Sequence, residues 1–345
     1  MTMTSSIKRI VFSGVSSLNI QWLKKRSGID VISPFHHLVS DEPVPWIDKL
    51  YGYKNSRQFE ADLDWLLRNF RPLSLEEVAE QAQSRQPFQE KGFLICFDDG
   101  LRQVYETAAP ILLRKGVPAA FFLNPDFVDN RSIFHNFKKG LLLDRFDSMS
   151  ITPGILTAAG NILGMQATTA DQLRKSILSV NYLNRQLFDE LAPLFDLDFE
   201  RFRLEQKPFM DQAQIQQLIA QGFSVGAHSM DHPLYSLVPL KEQLRQTRES
   251  TAWVHEHFRP RYRTFAFPHV DTGVSSTFFD ELVAPDAPEM DLILGNTTAM
   301  LEKNPRIVHR FIGENPDIPI DRMVKTVLSY NIARKTVNRQ YIRRN

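Results

Sequence analysis

One cysteine in 345 residues excludes an internal disulfide, and Cys96 lies in the apolar run FLICF, where a small buried residue is expected rather than a reactive thiol. An excess of either charge is also missing. With 41 lysines and arginines against 40 aspartates and glutamates, no overall field draws the chain to nucleic acid, and no nucleic-acid partner is expected. Nowhere do 18 apolar residues follow one another, so no transmembrane segment is expected. Repeats and low-complexity stretches are absent as well. Lys8 and Arg9 precede a semi-apolar run, the outline of a secretory signal, but Ser13, Ser16, Ser17 and Asn19 interrupt it and no small-x-small cleavage site follows. The expected localisation is cytoplasmic.

What is present is enough apolar sequence, 43% of residues, to fill one large α/β barrel or two ordinary domains. Short apolar runs alternate with helical patterns: GIDVISPF (28–35), FLICF (93–97), PAAFFL (118–123), FSVGA (223–227), RTFAF (263–267), DLILG (291–295) and RIVHRFI (306–312). Seven such runs predict a parallel barrel, distorted or partial. Leu63, Leu66, Leu67 and Phe70 form one face of a helix over 59–70, and Leu240, Leu244, Thr251, Val254 and Phe258 one face of a helix over 240–258. Over 103–116, Pro110 should kink a helix that Gly116 ends.

The interval between the third and fourth runs breaks this rhythm. It carries Phe134, Phe137 and Leu141, then Leu173, Ile177 and Val180, then Leu187, Leu191 and Phe195, all at helical spacing. We read residues 125–208 as a helical insertion after the third strand, placed to roof the barrel mouth or to serve as a stabilising appendage. The remaining divisions are an N-terminal segment 1–27, a barrel 28–330 and a basic tail 331–345. The tail holds five basic residues and no acid; it is a solvated helix or a weak contact for an anionic membrane surface.

Two constellations carry chemistry. Asp98 and Asp99 end the second strand, where a pair of buried anions needs a cation or protons, although Asp-Asp-Gly is also ordinary turn sequence. His228 and His232 end the fourth strand, four residues apart, with Pro233 suited to the first turn of a following helix that Ser229 or Asp231 would cap. Two histidines and one carboxylate leave open positions on a metal, as in hydrolytic zinc or non-haem iron sites. The second carboxylate is then free to act as a base.

The motifs F-D-D-G at 97–100, H-S-M-D-H at 228–232 and F-A-F-P-H at 265–269, in that order and each at a strand end, resemble the polysaccharide deacetylases of the NodB-homology type, carbohydrate esterase family 4. The resemblance runs from His36 and His37 to Arg310 and leaves the insertion outside. It implies a distorted or partial (β/α)7 barrel, a divalent metal, and hydrolysis of an N-acetyl group from an amino sugar in a polysaccharide, oligosaccharide or glycoconjugate precursor. By this likeness Asp98 is the general base, and Asp99, His228 and His232 are the metal ligands. Zinc is the expected metal, with cobalt, nickel and manganese as alternatives.

The third motif departs from the family. Pro268 is kept, but no arginine directly precedes it, so the contact that orients the aspartate is unplaced. For the general acid the expectation is His309 in RIVHRF, although strand alternation can turn either His309 or Arg310 toward the site. One of His36 and His37 should point into the mouth, and His37, Pro268 and His269 are the expected substrate contacts. Rival readings are an amidase of the same fold on a non-sugar amide, an inactive carbohydrate-binding barrel, and an iron oxygenase. The last is disfavoured because its ligands usually sit on antiparallel double sheets.

Overall fold

The structure is a computed structural model that describes residues 17–84, 88–284, 286–297 and 300–344. The run containing Lys8 and Arg9 lies outside the described residues. Of segment 1–27, Ile20–Ser27 is a helix whose N-terminus is capped by the Asn19 side chain and which packs on the helix Ile320–Thr336.

The apolar runs become parallel strands: β1 (Pro34–His36), β2 (Ile95–Phe97), β3 (Ala119–Leu123), β4 (Ser224–Ala227), β5 (Thr264–Ala266), β6 (Leu292–Gly295), β7 (Ile307–His309) and β8 (Phe311–Ile312). Their order across one sheet is β7-β6-β5-β4-β3-β2-β1-β8. The two outermost strands are halves of a single run interrupted only at Arg310, so the sheet closes on itself. On one side of the interruption Arg310 N donates to Gly295 O at 2.8 Å; on the other Phe311 N donates to Ser33 O at 3.0 Å and Gly313 N to Phe35 O at 2.8 Å. Eight segments are therefore seven runs, and the expected distorted (β/α)7 barrel is what forms.

Alternation along each strand sorts the side chains into two layers. Phe35, Cys96, Ala120, Phe122, Ala266, Leu292 and Leu294 pack together inside the barrel, so Cys96 is the buried small residue expected. Ile95, Phe97, Phe121, Val225, Phe265 and Ile293 face outward onto the covering helices. Continued past the strand ends, the inner phase includes His37, Asp98, His228, Asn296 and Arg310, and the outer phase includes His36 and His309.

Helix Ser56–Asn69 buries Phe59, Leu63 and Leu66 as its spacing requires, and Leu240–Phe258 forms as expected. At Pro110 the irregularity is a π-helical turn, Val104–Ala108, that delivers the proline into the first turn of the helix Ala109–Lys115, where its missing N–H costs nothing. Gly116, at φ 64°, ends that helix. The helix expected at Pro233 does not form: a loop leads into a short 3-10 turn, Tyr235–Leu237.

Between β3 and β4 the chain forms helices His135–Ser148, Pro153–Ile162, Ala170–Ser179, Leu187–Leu191 and Phe199–Gln206 around a separate core that includes Leu143, Phe146, Leu173, Ile177, Phe188 and Phe195. Its return is tied to the Asp-Asp-Gly turn by Met210 N donating to Gly100 O at 2.9 Å. The residues 331–345 expected as a basic tail are divided. Helix Ile320–Thr336 takes up the first of them, and the last run back along Leu301, whose N–H donates to Gln340 O at 2.8 Å. Among the described residues no helix is long and apolar enough to cross a membrane.

Candidate metal centre and catalytic site

Two strained corners bring the three expected ligands together. After β2 the chain turns through Asp99 at φ 68° and Gly100 at φ 69°; after β4 it turns through Ser229 at φ 67° and His232 at φ 64°. Left-handed backbone costs an L-residue about 1–2 kcal/mol, so these corners persist because the surroundings hold them. His228 N donates to Leu123 O at 2.8 Å, Asn124 Nδ2 donates to Ser229 O at 3.1 Å, and Ser229 Oγ accepts from His232 N at 3.1 Å. Ser229 thus caps a tight turn and not a helix.

The result is a buried group of three. His232 Nε2 lies 3.1 Å from Asp99 Oδ1, and His228 Nε2 lies 3.5 Å from the same oxygen. All three residues are at most 3% exposed, and these three atoms have no hydrogen-bond partner among the described residues. Buried polar atoms without partners are costly unless something binds them. Ligand atoms about 2.0–2.1 Å from a tetrahedral cation stand roughly 3.3 Å apart, so the group fits a divalent ion. His228 is preset for this: its Nδ1 donates to Ala266 O at 2.8 Å, which leaves the Nε2 lone pair facing Asp99. Burial lowers the His228 pKa to about 4 and keeps the ring neutral. Burial opposes the charge on Asp99, but the imidazoles of His232 and His37 beside it hold its pKa below the usual carboxylate range.

Asp98 stands apart from this group. Arg310 grips it through two parallel bonds, Nη1 to Oδ1 at 2.7 Å and Nη2 to Oδ2 at 2.9 Å, while Oδ2 is 3.8 Å from His228 Nε2. Burial alone would raise the Asp98 pKa; the guanidinium more than offsets it and keeps the carboxylate ionised. Arg310 is itself fully buried, donates to Asn296 Oδ1 at 2.9 Å, and lies over the Phe35 ring at 4.6 Å and the Phe122 ring at 5.4 Å. The orienting arginine that the third motif lacks therefore comes from the last strand.

His309, expected as the acid, is turned the other way. One residue before Arg310, it belongs to the outer layer. Its Nδ1 accepts from Thr297 N at 3.2 Å and its Nε2 donates to Glu302 Oε1 at 3.1 Å. Its ring fills the space where a Cβ at position 295 would come within 2.5 Å, so only glycine fits there. Asp271 lies 3.9 Å away and is bound by Arg344 from the C-terminus at 2.8 Å. The structure does not bring His309 to Asp98 and Asp99. His309→Gln should therefore leave turnover and both limbs of its pH profile within a few-fold of wild type; a lost limb would return His309 to the chemistry.

His37 is the histidine at the mouth. Its N–H and its Nδ1 each bond the Glu314 carboxylate, both at 2.7 Å, and its ring lies 5.2 Å from that of Tyr51. Partial burial disfavours its charge, but Glu314, with Asp99 and Asp98 beyond, raises its pKa to about 10. His36 faces outward between Phe59 and Phe97, and burial lowers it to about 3. His269 is exposed with its ring 4.5 Å from that of His232, and Pro268 is buried just before it. Reasoning from sequence did not find Glu314, Asn296 or Tyr51. Glu314 had a faint signal, an acid just beyond the last strand.

Fold and site together define a (β/α)7-barrel hydrolase with an aspartate and two histidines able to hold a metal at the C-terminal ends of its strands. The polysaccharide deacetylase family model matches residues 85–278, more than half of the chain, and the protein belongs to that family, which hydrolyses amide bonds. Among solved structures, the Streptococcus pyogenes deacetylase PplD in complex with acetate is similar at a TM-score of 0.53 and 13% identity, over 87% of this chain and 98% of that one. A de-N-acetylase from Aggregatibacter actinomycetemcomitans is similar at a TM-score of 0.51 and 13% identity, over 86% of this chain and 99% of that one. At such identities the likeness is one of fold. No curated protein sequence matches the chain.

Proposed function

We propose that the protein is a metal-dependent deacetylase that hydrolyses the N-acetyl group of an amino sugar in a saccharide or glycoconjugate. The observation that carries this reading is the convergence of three unpartnered ligand atoms, from Asp99, His228 and His232, beside a separately held Asp98. Those three residues would hold the ion, and zinc suits a site of two imidazoles and one carboxylate. When bound, the cation supplies Lewis acidity toward the acetyl carbonyl and the attacking water.

The chain's own residues do the rest. Asp98, kept ionised and aimed by Arg310, accepts the proton of the attacking water. As the amide C–N bond breaks, the sugar nitrogen needs a proton, and His37, whose charge Glu314 sustains, supplies it. His269, exposed beside His232, contacts the sugar.

The test is acetate release from N-acetylated sugars and oligosaccharides by protein whose metal content has been measured. Stripping the metal with a chelator should abolish release, and adding zinc should restore it. Activity unaffected by complete metal removal overturns the metal-dependent reading. Release only from non-sugar amides would make the protein an amidase of the same fold, and saccharide binding without release would make it a binding barrel.

A further inference from the structure

The loop that presents His232 is held from outside itself. Ser229 and His232 both adopt left-handed backbone, at φ 67° and 64°, an arrangement that is strained for an L-residue and relaxes if its supports are removed. One support comes from the helix Leu240–Phe258: fully buried Gln246 accepts from Met230 N at 2.8 Å and donates to Asp231 Oδ1 at 2.7 Å. Asn124, at the end of the third strand, holds Ser229 O, and further supports come from the insertion. Tyr182 Oη lies 2.8 Å from both Oδ1 and Oδ2 of Asp231, and Arg185 Nη2 reaches Oδ2 at 3.2 Å. The Arg185 guanidinium lies over the Tyr182 ring at 3.9 Å and donates to the Tyr182 carbonyl at 2.7 Å, so the two residues meet Asp231 as one unit. The insertion also sets the Phe134 ring 4.5 Å from that of His232.

We infer that Tyr182 and Arg185 are positioning residues for the metal site, acting through Asp231 on His232, so that the insertion completes the site. The inference rests on the reading of Asp99, His228 and His232 as ligands. Asp231 stands one residue before the second histidine, and a hydroxyl and a guanidinium fix both of its oxygens. Without them Asp231 keeps only its bond from Gln246, and the corner that sets His232 Nε2 beside Asp99 is held less firmly. The enthalpy and entropy of re-forming that corner would then be charged to metal binding.

Tyr182→Phe keeps the ring, its stacking on Arg185 and its packing, and removes only the hydroxyl. Titration of the metal-free protein with Co2+, followed by its visible absorption, should show a dissociation constant raised about 10–100-fold, the usual effect of losing a group that orients a ligand. The band should also change shape as the histidine geometry loosens. Tyr262→Phe, which removes a hydroxyl bonded to Glu80 away from the site, should leave both unchanged. Asp231→Asn provides an independent variant that weakens the pairing with Arg185, and it should raise the constant in the same direction. Wild-type affinity and an unaltered spectrum in both Tyr182→Phe and Asp231→Asn overturn the inference alone. A wild-type protein that takes up neither Co2+ nor Zn2+ overturns the ligand reading and this inference with it.

Discussion

Arg310→Met should cost about 3–5 kcal/mol of stability, the usual result of leaving one member of a buried ion pair without its partner. Arg310 is fully buried and is the residue that bonds both oxygens of Asp98, which is 1% exposed. Without the guanidinium, burial is left to raise the Asp98 pKa, and a protonated Asp98 cannot accept a proton from water. Turnover should therefore fall by about 10²–10⁴-fold, the range typical of lost general-base catalysis. Asp98→Asn should have the mirror effect, leaving a buried cation unpaired while keeping Asp99, His228 and His232. The double variant separates the two roles. Removing both charges should recover much of the stability in urea unfolding and none of the turnover. A stable and active Arg310→Met protein would show that the pair is neither a structural nor a catalytic requirement.

His37→Gln should lower deacetylation by about 10²–10⁴-fold if the imidazolium protonates the departing nitrogen. An acetyl ester with a good leaving group needs no such proton and should lose much less. Equal losses on both substrates would reduce His37 to a structural or binding role. The same residue predicts a pH dependence of stability in the metal-free protein. Its pKa in the folded state is about 10, against about 6.5 in an unfolded chain, so between these values the folded state holds more protons. The stabilisation is complete below about pH 6.5 and is lost as the pH rises through about 10. Relative to His37→Gln, wild-type stability should decline across that window, and parallel profiles would mean that the Glu314 pair does not hold the proton.

Local sequence determined the barrel's parts and half of its site. Apolar runs of strand length separated by helical periodicity can bury their faces only as βα units, and two aspartates at one strand end with two histidines at another already name the proposed ligand set. Tertiary structure alone decided the partners. Asp98 and Arg310 lie 212 positions apart, and His37 and Glu314 lie 277 apart, distances over which no local pattern acts. In RIVHRFI no clean polar alternation says which face is inward. The closure of the sheet at Arg310, with the run paired to β6 on one side and β1 on the other, is what turned the arginine into the barrel and His309 out of it. The insertion followed the same logic. Its helices could be read from their spacing, but the docking of Tyr182 on Asp231 depended on where that separate core came to rest against the loop of the fourth strand.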